Sequence, residues 1–269
     1  GIDRIFVWTG DSRILLAISK LIEDERNVHH DVEFGNVQVI LLVEDSRRFY
    51  SAYLPLRYTQ LLKQTTRVMD EGVNLHERLM RLRARAKVLL ATDYEEAMLH
   101  IERYHNNIIG IFTDGRFPHE GGSRDTAGLD LTKYIRDDHP NMPICFQSRN
   151  LELEKDARGL GATFIHKEDT QLYQRIAEFM TENKSFGDFI FRLPNGQEIS
   201  RSSDLTELRH TLKEVDSTSI EYHASRNHFS HWMRTRTEFA LASQLRPIRL
   251  ADFKSIEEVR QFLVQKIGF

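Results

Sequence analysis

Read for apolar and polar positions, the chain resolves into short apolar runs separated by stretches of helical spacing. Val37-Gln38-Val39-Ile40-Leu41-Leu42-Val43, Lys87-Val88-Leu89-Leu90-Ala91, Ile111-Phe112-Thr113, Pro143-Ile144-Cys145-Phe146-Gln147 and Ala162-Thr163-Phe164-Ile165-His166 are nearly continuous in hydrophobicity. Strands buried on both faces read this way. Between them, apolar residues recur at helical intervals. Phe49–Gln64 carries Tyr53, Leu54, Leu56, Leu61 and Leu62, and Tyr94–Tyr104 carries Ala97, Met98 and Ile101. Gly128–Asp137, Leu151–Gly159 and Tyr173–Glu182 complete the set, and Pro55 is expected to kink or delay the first helix. Strands alternating with helices predict an α/β fold, a doubly wound parallel five-stranded sheet spanning residues 36–184.

One interval is too long. Asp45 to Asp114 takes 69 residues, whereas two helices, two strands and their loops need about 45 at average lengths. The surplus falls between residues 64 and 87, so the first helix is lengthened or followed by an extra one. Leu75–Arg85 fits the second case, with Leu79, Met80 and Leu82 beside Arg78, Arg81, Arg83 and Arg85. The arginines read as a solvated face, and the apolar stripe as a surface that packs on the C-terminal unit or on a second copy of the chain.

The ends differ from this pattern. Ile5-Phe6-Val7-Trp8 predicts a short strand, and Asp11 can cap a helix over Ser12–Asp24. Residues 1–35 are therefore expected to be a strand–helix remnant of a preceding domain, with polar Glu25–Asn36, including His29 and His30, as linker. The opening Gly1-Ile2-Asp3 without an initiator Met suggests a piece of a longer protein. From residue 185 to 269 a small, mostly helical unit is expected. Asp188-Phe189-Ile190-Phe191-Arg192 and Gln197-Glu198-Ile199 flank Asn195-Gly196, a hairpin signal. Asp204 with Glu207, and Ser255 with Glu258, resemble capping boxes, and Tyr222–Leu245 reads as helical from about Asn227.

Composition narrows the function classes. Charged residues at 29% and hydrophobic residues at 40% of 269 describe a globular chain. A net charge of −3 gives no positive excess for neutralising nucleic-acid phosphates. No apolar run reaches membrane-spanning length, and no signal peptide opens the chain. The single cysteine, Cys145, cannot form an internal disulfide, which fits a cytoplasmic location.

The candidate chemistry lies where the strands stop. Val43 runs into Glu44-Asp45-Ser46, Phe112-Thr113 into Asp114, Gln147 into Ser148, and His166 into Lys167. In a parallel sheet these stops come together, because ligands bind outside the carboxyl ends of the strands. Acid pair, acid, hydroxyl and lysine, in that order over roughly residues 36–183, resemble the receiver domain of two-component response regulators. The resemblance implies a flavodoxin-like receiver fold, a phosphoryl group accepted on Asp114, and Mg²⁺ held by Glu44, Asp45 and Asp114. It implies Lys167 and Ser148 as the groups that meet the phosphoryl oxygens, with Ser148 and Phe164 as the switch pair. Pro118 matches a turn that family uses. The implied partners are a histidine kinase or phosphotransfer protein, and further domains of the same polypeptide. The residue types suit these roles. A carboxylate can form an acyl phosphate, oxygen clusters suit Mg²⁺, and an ammonium and a hydroxyl stabilise the added charge.

Three positions depart from the family pattern. Glu168 follows Lys167 where proline is usual, Arg149 follows Ser148 where a small residue is usual, and the loop His119–Thr126 is long. Arg149 either adds charge to a phosphate or bridges Asp114, and in the second case its removal is expected to strengthen an adduct. A pseudo-receiver, serving only as scaffold or docking domain, is the alternative function. A hydrolytic enzyme is disfavoured, since no substrate pocket or second acid/base is legible. In the C-terminal unit His223, His228, His231 and Glu221 have spacings that could hold zinc, but core packing by Tyr222, Phe229, Trp232 and Phe239 explains them better. Val43–Ser51 and Arg226-Asn227-His228-Phe229-Ser230-His231-Trp232 also resemble the amino-terminal regulatory region of bacterial proteins related to phosphoenolpyruvate synthase and pyruvate phosphate dikinase.

Overall fold

The five apolar runs form one parallel sheet because each is buried on both faces. In a computed structural model of the chain, they are β1 (Val39–Val43), β2 (Lys87–Ala91), β3 (Ile108–Asp114), β6 (Ile144–Ser148) and β7 (Thr163–His166). The structure describes residues 4–8, 10–35, 37–70, 85–139, 142–182, 188–236, 238–245 and 248–268. The sheet order is β2-β1-β3-β6-β7, every pair parallel. Counting only its own strands this is the 2-1-3-4-5 order of flavodoxin-like folds, with its switch point between β1 and β3.

Alternate residues of each strand serve opposite layers. Val39, Leu41 and Val43 join a core with Ala97 and Ile101 of α3 (Tyr94–Tyr104), Leu131 and Ile135 of α4 (Ala127–Asp138), and Ala157 of α5 (Leu153–Gly159). On the other layer, Phe112 meets Phe179 of α6 (Leu172–Glu182) edge-on at 5.0 Å, and the guanidinium of Arg57 lies over the Phe112 ring. Arg57 belongs to α2 (Arg47–Asp70), so the first sheet helix is lengthened beyond Gln64, and Pro55 sits inside it without ending it. Positions 75–84 of the expected Leu75–Arg85 helix lie outside the described residues.

Two expectations at the chain's start are corrected. Residues 25–35 are helix, the second half of α1 (Arg13–Gly35). Leu21, Asp24 and Val28 form the buried stripe that carries the helix past Asp24. Residues 4–8 form no strand and pair with no described strand; instead Arg4 Nη2 donates to Leu90 O at 2.9 Å, and Val7 N–H to Ser51 Oγ at 3.0 Å. Helix α1 packs on α2 and on β2, the edge of the sheet. There the Asp24 carboxylate, fully buried, accepts from Val88 N–H at 2.9 Å, Tyr58 Oη at 2.9 Å and Arg85 Nη2 at 2.5 Å. Side chains thus satisfy a donor and an acceptor of the edge strand that a further strand would otherwise take.

The long loop after Asp114 is also more ordered than expected. It contains a small antiparallel hairpin, β4 (Phe117–His119) and β5 (Gly122–Arg124), turned through Glu120 and Gly121 at φ of 52° and 79°. Phe117 is buried in the core, and Glu95 of α3 accepts from Glu120 N–H at 2.9 Å and meets His119 Nδ1 at 3.2 Å.

The chain divides into two compact units, Gly1–Phe179 and Met180–Phe269. In the second, β8 (Phe189–Arg192) and β9 (Glu198–Ser202) form the predicted hairpin. The Asp204 side chain accepts from Glu207 N–H, while Glu207 reaches back to Ser203 N–H, one residue further than a capping box requires. Phe189 stacks on Phe229 at 4.8 Å and meets Trp232 edge-on at 5.8 Å, and His223 is buried among them. Its Nε2 accepts from Arg192 N–H at 2.9 Å and its Nδ1 faces His228 Nδ1 at 3.0 Å, so both ring nitrogens are engaged within the core.

Candidate functional site

Strand β1 ends in Glu44 and Asp45, β3 in Asp114, β6 in Ser148, and Lys167 follows β7. The parallel sheet brings all five to one edge. Glu44 is buried, Asp114 half-buried and Asp45 exposed, and one carboxylate oxygen of each lies within 4.8 Å of the others. Lys167, itself buried, donates from Nζ to Glu44 Oε2 at 2.7 Å and to Asp114 Oδ2 at 2.5 Å. The second Asp114 oxygen accepts from Gly115 N–H at 2.6 Å. Ser148 Oγ accepts from Asn150 N–H at 3.0 Å, and Lys167 N–H donates to Ser148 O at 2.9 Å, which ties the hydroxyl loop to the lysine turn.

Backbone closeness explains one glycine here. A Cβ on Gly128, at the start of α4, would lie 2.1 Å from the carbonyl oxygen of Asp114. Only glycine allows that helix to pack against the end of β3 this closely.

Asp114 lines a cleft of about 530 Å³ together with Asp45, Ser148 and Lys167, and with Arg116, Ser123, Phe49 and Arg149. Phe164 is buried, its ring parallel to that of Phe146 at 6.0 Å. Arg149 does not bridge Asp114. Its Nε lies 3.5 Å from Glu168, so removing Arg149 uncovers nothing at the carboxylate, contrary to the expectation for a bridging arginine. Phe49, Arg116 and Ser123 were not legible as site residues. Phe49 had a signal, because it lies in the first turn of the helix that directly follows Glu44 and Asp45. Arg116 had only its place two residues after Asp114; Ser123 reaches the site through a hairpin that the glycine-rich loop concealed.

Burial pushes the Glu44 carboxyl up to about 8, and the nearby charge of Asp114 adds to this while Lys167 opposes it. Asp45, exposed as a residue, is raised as well, first because its carboxyl is partly shielded from water and second by the charge of Asp114. Three hard oxygen donors with their charges crowded and only one ammonium between two of them fit a small divalent cation, which takes few carboxylates and keeps several waters. A pH dependence follows. Glu44 in the folded metal-free protein holds a proton between the ordinary value near 4.5 and about 8. The unfolded chain has already lost that proton, so stability contributed by the protonated form falls as pH rises through this window. Divalent metal binding requires the ionised form. The rise in melting temperature on adding Mg²⁺ is therefore expected to be larger at pH 8 than at pH 6, measured by scanning calorimetry. An equal rise at both would place the metal away from Glu44.

A scan against protein-family models finds no match, and a search of curated proteins also finds none. Solved structures do match. A receiver domain from Clostridium thermocellum shares 18% identity, covering 55% of this chain and 94% of that one, at a TM-score of 0.34. The HemR receiver domain from Leptospira biflexa shares 21% identity, covering 54% and 93%, also at 0.34. A CheX–CheY–BeF3–Mg²⁺ complex from Borrelia burgdorferi shares 20% identity over 54% of this chain and 87% of that one, at 0.34. The fold assignment rests on the strand order, and the chemistry on the five converging residues.

Proposed function

We propose that this chain contains a signal-receiver module of a phosphorelay, which accepts a phosphoryl group on Asp114 and regulates the domains attached to it. The observation that supports this most is the convergence of Asp114 with Glu44, Asp45 and Lys167, Asp114 and Lys167 both lining an accessible cleft. In the step, an Asp114 carboxylate oxygen attacks the phosphorus of a phosphohistidine or a small acyl phosphate. A new O–P bond forms, the donor's P–N or P–O bond breaks, and its electron pair leaves with the donor atom. Lys167 meets the phosphoryl oxygens as an ammonium, and the Ser148 hydroxyl turns from its Asn150 contact to donate to them.

Glu44, Asp45 and Asp114 would hold Mg²⁺, which when bound supplies positive charge against which a phosphate can approach three carboxylates. Ser148, which lines the cleft, and the buried Phe164 are the proposed switch pair. The partner is a histidine kinase or a phosphotransfer protein, in the cytoplasm. That the module belongs to a larger protein of the phosphoenolpyruvate synthase and pyruvate phosphate dikinase type rests on the sequence resemblance at Val43–Ser51 and Arg226–Trp232 alone. A homodimer is the second proposed partner, on the apolar stripe that the sequence carries near residues 75–85.

Incubation of the intact protein with acetyl phosphate and Mg²⁺, followed by intact mass measurement, is expected to show a gain of one phosphoryl group per chain, lost on mild base treatment. No gain, with Mg²⁺ shown to bind, would favour the pseudo-receiver.

A further inference from the structure

Arg149 stands one residue past Ser148 and borders the same cleft as Lys167, yet its guanidinium is turned aside. Its Nε lies 3.5 Å from Glu168 Oε1, and its Cζ lies 5.1 Å from the centroid of the Phe49 ring. Lys167 Nζ approaches the same ring at 4.4 Å. The backbone beneath Arg149 is anchored. His166 Nε2 donates to the Arg149 carbonyl at 3.0 Å, and Asn150 N–H donates to Ser148 Oγ. Arg149 and Asp114 line the same cleft, so rotation of the arginine side chain can bring the guanidinium towards Asp114.

The resting contact is weak. The Arg149 and Glu168 side chains are 59% and 66% exposed, and exposed ion pairs of this kind contribute little. Cation–π contact with a half-exposed ring adds modestly to it. Against it stands the charge that modification brings. A phosphoryl group on Asp114 carries roughly two negative charges at neutral pH. Lys167 is already shared between Glu44 and Asp114, so its single charge does not cover a dianion as well. A planar guanidinium within torsional reach, offering two parallel donors, is the group that phosphate oxygens select.

We propose that Arg149 is a mobile phosphoryl ligand, held at rest by Glu168 and the face of Phe49, that turns onto the phosphoryl oxygens once Asp114 is modified. Glu168 is then a positioning residue, which acts only through Arg149 by competing for its guanidinium. Modification opens the resting pair and uncovers the Glu168 carboxylate and one face of Phe49 at the rim of the cleft. This deepens the phosphoryl-acceptor reading of the site and rests on it.

The test uses beryllofluoride with Mg²⁺, a non-covalent stand-in for the phosphoryl group, titrated into the full chain and followed by fluorine NMR. The intact protein is expected to bind it. Arg149→Ala is expected to weaken binding about tenfold, the loss typical of one charge-assisted hydrogen-bond donor, and to shift a bound fluoride resonance; Arg149→Lys should recover part of the affinity. Glu168→Gln is expected to tighten binding about threefold in the native background and to have no effect when combined with Arg149→Ala. That dependence separates a competing partner from simple repulsion of the anion. Unchanged affinity and unchanged fluorine shifts in Arg149→Ala would overturn the proposal while leaving Asp114 as acceptor. So would equal tightening by Glu168→Gln in both backgrounds. Absence of binding by the intact protein would overturn the acceptor reading itself, and this proposal with it.

Discussion

Asp114→Asn is expected to abolish phosphoryl addition entirely while leaving the fold intact. The amide has the shape of the carboxylate but only one acceptor oxygen, so it keeps either the Gly115 N–H or the Lys167 Nζ contact and not both. It lacks the anionic oxygen that attacks phosphorus, and a neutral amide is a far weaker nucleophile. It also removes one of the three charges that would hold a divalent cation. The change relieves crowding at the same time. Asp114 helps push the Glu44 carboxyl up, so its neutralisation lets Glu44 ionise more readily and pair with Lys167 alone. Intact mass after acetyl phosphate treatment is expected to match the untreated variant, and the melting temperature of the metal-free variant is expected to equal or exceed that of the native protein. A phosphoryl gain persisting in Asp114→Asn would move the acceptor to another carboxylate, with Asp45 the first candidate.

The largest stability effect is expected far from that site, at Asp24. Its carboxylate is fully buried and collects Val88 N–H, the Tyr58 hydroxyl and the Arg85 guanidinium, with Lys87 Nζ at 3.7 Å. Asp24→Ala strands this set of buried donors. Lys87 keeps Asp31 at 2.7 Å, but among the described residues Arg85 is left with Glu23 at 3.7 Å, the carbonyl of Ala86 at 3.0 Å and the face of Tyr58 at 5.6 Å. Removing one partner of a buried ion pair costs about 3–5 kcal/mol, enough to lower the melting temperature of a unit this size by roughly 10 °C. Asp24→Asn keeps one acceptor oxygen for Val88 N–H and is expected to cost about half as much. Urea unfolding of the three proteins measures the series. A loss under about 1 kcal/mol for Asp24→Ala would mean that solvent reaches Arg85 and that α1 does not seal the edge.

The site was more legible in the sequence than the frame around it, for a physical reason. A strand end is marked twice, by an apolar run and by the polar residue that stops it, and parallel order does the rest. Glu44, Asp45, Asp114, Ser148 and Lys167 converge because their strands are parallel, and each strand was readable by itself. The second half of α1 lacked such a mark. Its buried stripe passes through Asp24, whose charge breaks the apolar periodicity, and the buried partners that neutralise it lie some sixty residues later. Ile5–Trp8 had the composition of a strand, but its polar groups go to side chains of α2 and its neighbour Arg4 takes the open edge of β2. Arg149 stood out as a departure, but its resting place did not. That depends on Glu168 and Phe49, which come close only when β6, β7 and α2 share one edge.

The position of β1 also governs how the chain can be made. Val39–Val43 sits inside the sheet, and its two partners are Lys87–Ala91 and the strand from Ile108 to Asp114. Both come later, so during synthesis this wholly apolar strand must wait for a neighbour. At about 5–20 residues per second the nearer one follows after several seconds, time in which α1 and α2 can form but no sheet can. Pairing across such separations is slow even in the finished chain. The nascent protein therefore presents a naked, sticky segment early and closes it late. Its vulnerability lies in the interval before Lys87 emerges, a stage at which a holding chaperone would matter more than any contact in the mature fold.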